Sequence, residues 1–344
     1  MRFALGLVIA CAAACAAAPE LDAPATLEPH ADPRALGWRL WGELVGDSGD
    51  GAPAWERWRS SEAVFAGRDD APGELAIRQP RDIRMGGRVV VPAAQPALSY
   101  VLLDDAAVDH IRAHGLASRA RVHAAGAAIP AFPRDARAVK LVWYPVRATG
   151  VTDVPVWDGT PARADADGNP PSSWPRTVRV SRAGGDGAIA IDRFYHRALD
   201  TDRALARARA AWHDDTLARG DELVLVAVHL TTKETADWTW TTYWWHDRPD
   251  DGAFAAGRPA SIRGWAASYV MDATLDGGAP CTNPWLEARF PGGLASNCVS
   301  CHERAALGAR EFLPVTAGRT PAADPYFQGK TSTDFMWSLA LEAR

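Results

Sequence analysis

The sequence has no excess of basic charge. It contains 37 Lys and Arg against 42 Asp and Glu, for a formal net charge of −5, and residues of both signs are interspersed along the chain. A surface that binds nucleic acid needs concentrated positive charge to neutralise phosphates. We therefore expect no nucleic-acid partner.

Long apolar runs are also scarce, and the one that stands out opens the chain. In residues 1–18, a basic Arg2 precedes an apolar stretch and a run of small residues, which is the pattern of an export signal. Within it, "VIAC" ending at Cys11 and "AAAC" ending at Cys15 each resemble a bacterial lipoprotein cleavage site. No later segment is apolar for long enough to span a bilayer. We expect a periplasmic protein or one anchored in the bacterial envelope by an N-terminal lipid alone.

Cysteine is too scarce for a disulfide framework. Without the export signal the chain keeps Cys281, Cys298 and Cys301, an odd number. We expect Cys281 to be a small buried thiol. The sequence also lacks a nucleotide-binding loop, a recognisable Ser-His-Asp arrangement and the paired carboxylates of a glycosidase. These absences leave few reactive groups to consider.

Strand-like and helix-like segments make up most of the chain. Residues 19–36 are rich in Pro, Ala and acidic residues, which predicts a linker. Beyond them, strands are predicted at "LSYVLLD", "AVKLVWYPVRA", "ELVLVAVHLTTKE" and "DWTWTTYWW", and helices at "DDAAVDHIRAHGL" and "DTDRALARARAAWHDDTLARGD". Their order is irregular and shows no internal repeat. We therefore expect residues 37–344 to form a single α+β domain, a mostly antiparallel sheet with flanking helices.

Two polar segments are predicted to be structural. Asp165, Asp167 and Asn169 lie in an Asp- and Gly-rich stretch that resembles a calcium loop, but the glycine is misplaced and the closing Glu is missing. This predicts an ordinary loop. Lys233, Glu234 and Asp237 follow a predicted strand, where charged residues usually form a solvated turn, and a polar functional site is the alternative.

The sequence "CVSCH" carries the clearest chemistry in the chain. Cys298 and Cys301 are spaced so that two thiols can reach the two vinyl groups of one porphyrin, and His302 follows immediately, where its imidazole can bind the iron. A zinc knuckle would need a second ligand pair, which the sequence lacks. A redox dithiol would open a helix directly after a strand, whereas a Gly-rich loop precedes this motif. The motif therefore favours one covalently attached haem c over both alternatives.

Several further segments carry a resemblance to a known family. These are "WERWRSSEAVF", "ELVLVAVHLTTKETADWTWTTYWWHD", "NPWLEARFPGGLASNCVSCHERA" and "TSTDFMWSLA". Together with the motif, they resemble a family of exported bacterial c-type cytochromes with one C-terminal haem site behind a large non-cytochrome region. The resemblance implies a haem-binding, redox-active protein, and it implies no substrate.

A more distant likeness is to sheet-built cytochromes, which include beta-type cytochrome c-prime and its lysine-cross-linked relatives. These proteins also end with the haem motif after an antiparallel sheet. The likeness raises the idea of a cross-link at Lys140, in the predicted strand "AVKLVWYP". The simpler expectation for a single strand lysine is a solvated amine.

The sixth ligand of the iron would decide between electron transfer and catalysis. Met336 is the candidate downstream of the motif, and Met271, His229 and His246 are alternatives. Beside Phe335 and Trp337, however, Met336 is more typical of a core residue. The sequence leaves this position open.

The leading functional hypothesis is a single-haem electron carrier with a redox partner protein. The alternative is a haem enzyme or small-gas binder with an open distal site, acting on peroxide or nitrogen oxides. A weaker alternative is an interaction protein with a structural haem. The sequence does not decide whether the protein is an enzyme.

The haem segment, residues 283–344, is predicted to pack on the sheet. After the motif, only a short helix at "CHERAALGAR" and a terminal stretch "DFMWSLALEAR" are predicted. These pieces are too small to cover the apolar surface of a haem. Trp240 and Trp244, in the aromatic strand, are the side chains that we expect against the porphyrin.

Overall fold

The computed structural model describes residues 32–46, 51–68, 75, 77, 83–85, 88–91, 97–309, 316–321 and 323–344, with the backbone alone for 83–85 and 88–91. The predicted export signal and its two lipoprotein sites lie outside the described residues. Among the helices in the described ranges, none has both the length and the apolar character needed to cross a membrane.

The helices are short and lie between or beside strands. They are α1 (Pro33–Val45), α2 (Ser61–Phe65), α3 (Asp105–Ala113), α4 (Arg119–Ala124), α5 (Asp202–Trp212), α6 (Cys298–His302) and α7 (Trp337–Glu342). Two of them begin at a side-chain cap: Asp104 accepts a hydrogen bond from Ala107 N at the start of α3, and Thr201 accepts one from Ala204 N at the start of α5.

The predicted linker ends earlier than position 36. Helix α1 begins at Pro33, and the Asp32 side chain caps it by accepting a hydrogen bond from Arg34 N. The prediction was wrong here because Pro suits the first turn of a helix as well as it suits a linker. The helix is fixed by Trp38 and Trp41, which are buried on its inner side.

A large antiparallel sheet organises the domain. The strands of the protein are β1 (Arg59–Ser60), β2 (Ile83–Met85), β3 (Arg88–Val91), β4 (Leu98–Leu103), β5 (Arg137–Val146), β6 (Thr152–Pro155), β7 (Thr177–Ser181), β8 (Ile189–Ala190), β9 (His196–Ala198), β10 (Glu222–Thr232), β11 (Thr239–Trp245), β12 (Tyr269–Thr274), β13 (Ala306–Leu307) and β14 (Thr331–Ser332). The main sheet has the order β1-β4-β5-β10-β11-β12, with β9 beside the start of β10, and all its pairs are antiparallel. The predicted α+β class is confirmed.

Helix α1 covers one face of this sheet. Cross-strand pairing places Leu141, Val228, Tyr243 and Met271 on that face. Trp41 stacks on Tyr243 with ring centroids 4.4 Å apart, and the Tyr243 hydroxyl donates to Gly37 O at 2.6 Å. We call this side of the sheet the α1 face.

The C-terminal segment covers the opposite face. His229 pairs with Lys140 on one side and with Thr242 on the other, and Trp240 pairs with Thr274, so these five side chains share the second face. We call it the motif face. The predicted packing of the haem segment on the sheet is confirmed, because the His302 ring contacts Trp240 there at a centroid distance of 4.2 Å.

The helix predicted at "CHERAALGAR" is wrong in its extent. Helix α6 starts earlier, at Cys298, and ends at His302. After it, Ala306–Leu307 pairs with Thr331–Ser332 in a short antiparallel sheet of two strands. Thr333 N also donates to Ala305 O. After His302, these long-range backbone hydrogen bonds override the helix propensity of the segment.

Candidate haem-attachment site

The motif lies on one short helix. Cys298, Cys301 and His302 are separated by three and four positions along α6, so they share one face of it. Asn297 caps the helix, since its Oδ1 accepts hydrogen bonds from Val299 N at 2.8 Å and from Ser300 N at 3.4 Å. Both thiols are buried, and both cysteines are reduced.

Two buried asparagines fasten the motif segment to the sheet. Asn283 Nδ2 donates to Thr242 Oγ1 at 2.7 Å and to Tyr243 O at 3.1 Å, both in β11. Asn297 Nδ2 donates to Ala279 O at 2.5 Å and lies 3.5 Å from Thr274 Oγ1, at the end of β12. A side-chain amide can donate and accept at once. Each Asn therefore donates toward the sheet and accepts from backbone N–H groups of its own segment.

The Asp-rich loop fixes the approach to the motif. Asp165 Oδ1 accepts from Leu294 N at 2.9 Å, and Oδ2 accepts from Ala295 N at 3.3 Å. Gly293, just before them, passes so close to Glu287 that any Cβ would overlap the Glu287 carbonyl oxygen. The composition of this stretch predicts only an ordinary loop. Its anchoring role has no local signal, because the partners are 129 and 130 residues away.

The His302 imidazole is oriented by a backbone carbonyl. His302 Nδ1 lies 2.9 Å from Phe335 O. Because a carbonyl only accepts, Nδ1 carries the proton and Nε2 keeps its lone pair. Histidines that bind metals are commonly held in this way, with the second nitrogen on a carbonyl. Burial lowers the pKa of His302 to about 4, so the ring is neutral at pH 7.

A buried ion pair holds the carbonyl that orients His302. Lys233 Nζ donates to Asp334 Oδ1 at 2.7 Å, and Asp334 Oδ2 accepts from Phe132 N at 2.8 Å. Asp334 and Phe335 have φ of 47° and 67°, in the left-handed region that non-glycine residues rarely adopt. The prediction of a solvated turn is wrong for Lys233, which is 5% exposed. Its partner is 101 residues away, so no local pattern indicates the pair.

His229 lies beside this imidazole without a hydrogen bond of its own. It is 6% exposed, and neither ring nitrogen has a partner among the described residues. Its ring centroid is 5.7 Å from that of His302, with the planes at 29°, and 5.7 Å from that of Trp240. Burial lowers the pKa of His229 well below its ordinary value, and the nearby His302 and Lys140 add to this shift. A buried neutral imidazole with both nitrogens unpaired is costly, by about 1–3 kcal/mol for each unsatisfied group.

The other candidate residues lie in different surroundings. Trp240 contacts the site, whereas Trp244 belongs to the larger core cluster and its ring contacts Phe254 at 4.9 Å. Met336 is buried in the hydrophobic cluster that also contains Cys298 and Trp240. Met271 faces α1, since a Cβ on Gly37 would lie 2.9 Å from its sulfur. His246 Nδ1 accepts a hydrogen bond from Arg248 N at 3.0 Å.

The thiols have the character of protonated, buried groups. The contact of Cys298 with Cys281, at an Sγ–Sγ distance of 3.8 Å, raises the pKa of Cys298, and burial adds to the rise. Burial raises the pKa of Cys301. A redox dithiol depends on a lowered thiol pKa, so both shifts run against that alternative. In the described part of the chain, no group of three or more His, Cys, Asp or Glu residues is arranged to hold a metal ion.

Comparisons with family models, with curated proteins and with solved structures find no match to this chain. The functional argument therefore depends on the motif and on the geometry around it.

Proposed function

We propose that the protein is an exported c-type cytochrome that transfers electrons through one covalently attached haem. Cys298 and Cys301 would hold the haem through two thioether bonds, and His302 would bind its iron. The observation that carries the proposal is the hydrogen bond from His302 Nδ1 to Phe335 O, which leaves Nε2 as a neutral donor atom on the helix that bears both thiols.

The surroundings support a redox role for the bound group. Haem iron changes oxidation state by one electron, and its potential depends on the axial ligands and on burial. The His302 ring is in contact with Trp240, and the neighbouring His229 is neutral and buried. The chain thus offers an environment of low dielectric constant in which the ligand's orientation is fixed by Phe335 and, through it, by the Lys233–Asp334 pair. A redox partner protein in the bacterial envelope would supply or accept the electron.

Haem attachment is tested by a gel stain. The full chain is produced with a machinery for c-type haem maturation, and haem peroxidase activity is stained after denaturing electrophoresis. We expect a stained band for the wild type and none for Cys298→Ala combined with Cys301→Ala.

The third cysteine provides the matched control. Cys281 Sγ is 3.8 Å from Cys298 Sγ but lies outside the motif, so Cys281→Ala should keep the stain. A stained band in the double variant, or none in the wild type, would contradict the proposal. Electron transfer is tested separately by a redox titration of the purified protein. The optical spectrum is recorded as a function of electrode potential, and we expect a reversible one-electron reduction.

Export is tested by mass spectrometry of the mature N-terminus. A diacylglyceryl cysteine at Cys11 or Cys15 indicates the lipid-anchored form, and an end near Pro19 indicates the periplasmic form. A product that keeps Met1 in the cytoplasmic fraction would contradict export and remove a main support for haem attachment.

A further inference from the structure

The sulfur of the first motif cysteine is directed at a cysteine outside the motif. Cys298 Sγ lies 3.2 Å from Cys281 O and 3.8 Å from Cys281 Sγ. Both side chains are buried, and both thiols are reduced in the structure. The proposed function uses Cys298 and gives Cys281 no role.

The backbones of the two cysteines lie side by side. Cys281 and Asn297 form an isolated parallel bridge, and Cys281 N donates to Ser296 O at 3.1 Å. Backbones paired in this way are about 4.8 Å apart, and one residue further along adds about 3.3 Å at right angles. We therefore expect roughly 6 Å between the Cα atoms of Cys281 and Cys298, a separation that is common in disulfides. Side-chain rotation can then bring the sulfurs from 3.8 Å to a bond length of about 2.0 Å without rearranging the fold.

The chemistry of the bacterial envelope favours a bond between these sulfurs. Disulfides form and persist outside the cytoplasm, where export would take this chain. The three cysteines beyond the export signal allow one disulfide and leave one thiol. Cys301, three positions along α6, is the competing partner for Cys298. The contact of Cys298 Sγ with both the carbonyl and the sulfur of Cys281 favours Cys281.

We propose that Cys281 and Cys298 form a disulfide in the exported chain before haem is attached. This inference rests on the proposed function, both for export and for the later use of Cys298. The thiolate of one cysteine attacks an oxidant that itself carries a disulfide bond, and the other cysteine then displaces the oxidant from the mixed disulfide. Two electrons and two protons pass to the oxidant, which leaves as two thiols.

Burial determines when this bond forms and what it prevents. The exposed fractions of Cys281 and Cys298 are 2% and 4%, so an oxidant reaches them only before the motif segment docks on the sheet. One sulfur cannot carry a disulfide and a thioether together. The bond therefore withholds Cys298 from haem until a dithiol reductant opens it by the reverse exchange. The haem-loaded protein is left with a free thiol at Cys281.

Peptide mapping of the haem-free wild type tests the bond. The full chain is produced without the machinery for haem maturation and isolated from the cell envelope, with N-ethylmaleimide present to block free thiols. Trypsin cleaves after Arg263, Arg289 and Arg304, so Cys281 is released in peptide 264–289 and both motif cysteines in peptide 290–304. We expect the two peptides to be joined, with the label on Cys301, and to separate when a reductant is added.

The variant Cys301→Ala is the matched control, since it removes the competing thiol and should keep the joined peptides. Label on all three cysteines of the exported wild type would overturn the inference, as would a bond between Cys298 and Cys301 or loss of the joined peptides in Cys301→Ala. The mature N-terminus of the same sample shows whether the chain was exported. A labelled, exported chain thus overturns the inference alone, and a chain that keeps Met1 overturns the proposed function with it.

The haem-loaded wild type provides a second measurement. Protein with a positive haem stain, denatured in N-ethylmaleimide, should carry the label on Cys281. Stained protein in which Cys281 is still joined to peptide 290–304 would overturn the claim that the bond withholds Cys298 from haem. A missing stain would overturn haem attachment, whereas the joined peptides of the haem-free sample would still establish the disulfide.

Discussion

The two faces of the main sheet are built from different kinds of residues. The α1 face is filled with aliphatic and aromatic side chains, and its tyrosine hydroxyl is satisfied by the Gly37 carbonyl. The motif face carries Lys140, His229 and Trp240, and it receives a helix with two thiols and a second imidazole. One sheet thus serves as a packing surface on one side and, under the proposed function, as a binding surface on the other.

The contrast shows where stability and function divide. Groups on the α1 face gain free energy by leaving water, and burial alone explains them. Burial alone does not explain His229, since a leucine at that position would be buried at lower cost. Residues on the α1 face therefore stabilise the fold, whereas residues on the motif face are held in position by it. Substitutions on the α1 face should lower stability alone, and substitutions on the motif face should also change the haem spectra.

The largest effect on stability is expected at Trp41, on the α1 face. It is completely buried, stacks on Tyr243 and donates from Nε1 to Ala266 O at 3.2 Å. Trp41→Ala should lower the free energy of unfolding by about 4 kcal/mol, because it leaves a large cavity. Urea unfolding measures this loss. Haem spectra recorded in the absence of urea should match the wild type, and a changed spin state would show that the two faces are not separable. Trp41→Phe, which keeps most of the stacking area, should lose much less.

The second effect concerns the ion pair behind His302. Lys233→Met leaves the Asp334 carboxylate buried without its cation, which should cost about 3 kcal/mol. Unlike Trp41→Ala, this change should also alter the haem spectra, because Asp334 holds the segment whose Phe335 carbonyl orients His302. Replacing both partners, as in Lys233→Met with Asp334→Leu, should recover part of the stability but not the wild-type spectra. Recovery of both properties would mean that the pair has no positioning role.

The sequence predicted what depends on neighbouring residues. A strand-like apolar run predicted β10, alternation of Trp and Thr predicted β11, and local helical patterns predicted α3 and α5. Spacing alone identified Cys298, Cys301 and His302 as a set.

Contacts between distant residues could not be predicted in this way. The carbonyl that orients His302 is 33 residues away, the partner of Lys233 is 101 away, and the loop anchor Asp165 is 129 away from its first partner. His229 was one of several candidates until the register placed it on the motif face. A charged side chain at a strand end can be solvated or can pair with a distant carboxylate, and the local sequence is the same in both cases. The expectation of a solvated turn was therefore wrong for Lys233.

The third effect is a contribution of the motif face to the pH dependence of stability. It is measured in protein without haem, namely the Cys298→Ala and Cys301→Ala double variant. The pKa of His229 and that of His302 are both lowered by burial, the latter to about 4. Below the unfolded-state pKa of about 6.5, the unfolded chain binds protons that the folded chain does not, so stability falls as the pH falls. Each ring contributes up to about 1.4 kcal/mol per pH unit in this range, down to about pH 4 for His302.

Replacing His229 isolates its share of that slope. In the same background, His229→Phe should make the decline between pH 6 and pH 4 shallower by up to about 1.4 kcal/mol per unit. Urea unfolding at several pH values gives the slope. An unchanged slope would mean that His229 is already protonated in the fold or exposed to solvent.

The smallest effect is expected at the N-cap of α6, which belongs to neither face of the sheet. Asn297 accepts hydrogen bonds from Val299 N and Ser300 N and donates to Ala279 O, so it performs both capping and anchoring. Asn297→Asp keeps the acceptor of the cap and removes the donor, whereas Asn297→Ala removes both. Loss of an N-cap costs about 1 kcal/mol, so we expect the free energy of unfolding to fall by that amount or somewhat more for Ala and by less for Asp.

Haem staining should remain in both variants, because the thiols stay on the same helix. The yield of stained protein should decrease in the order wild type, Asp, Ala. Equal losses for Asp and Ala would show that the donor to Ala279, and not the cap, is what Asn297 contributes.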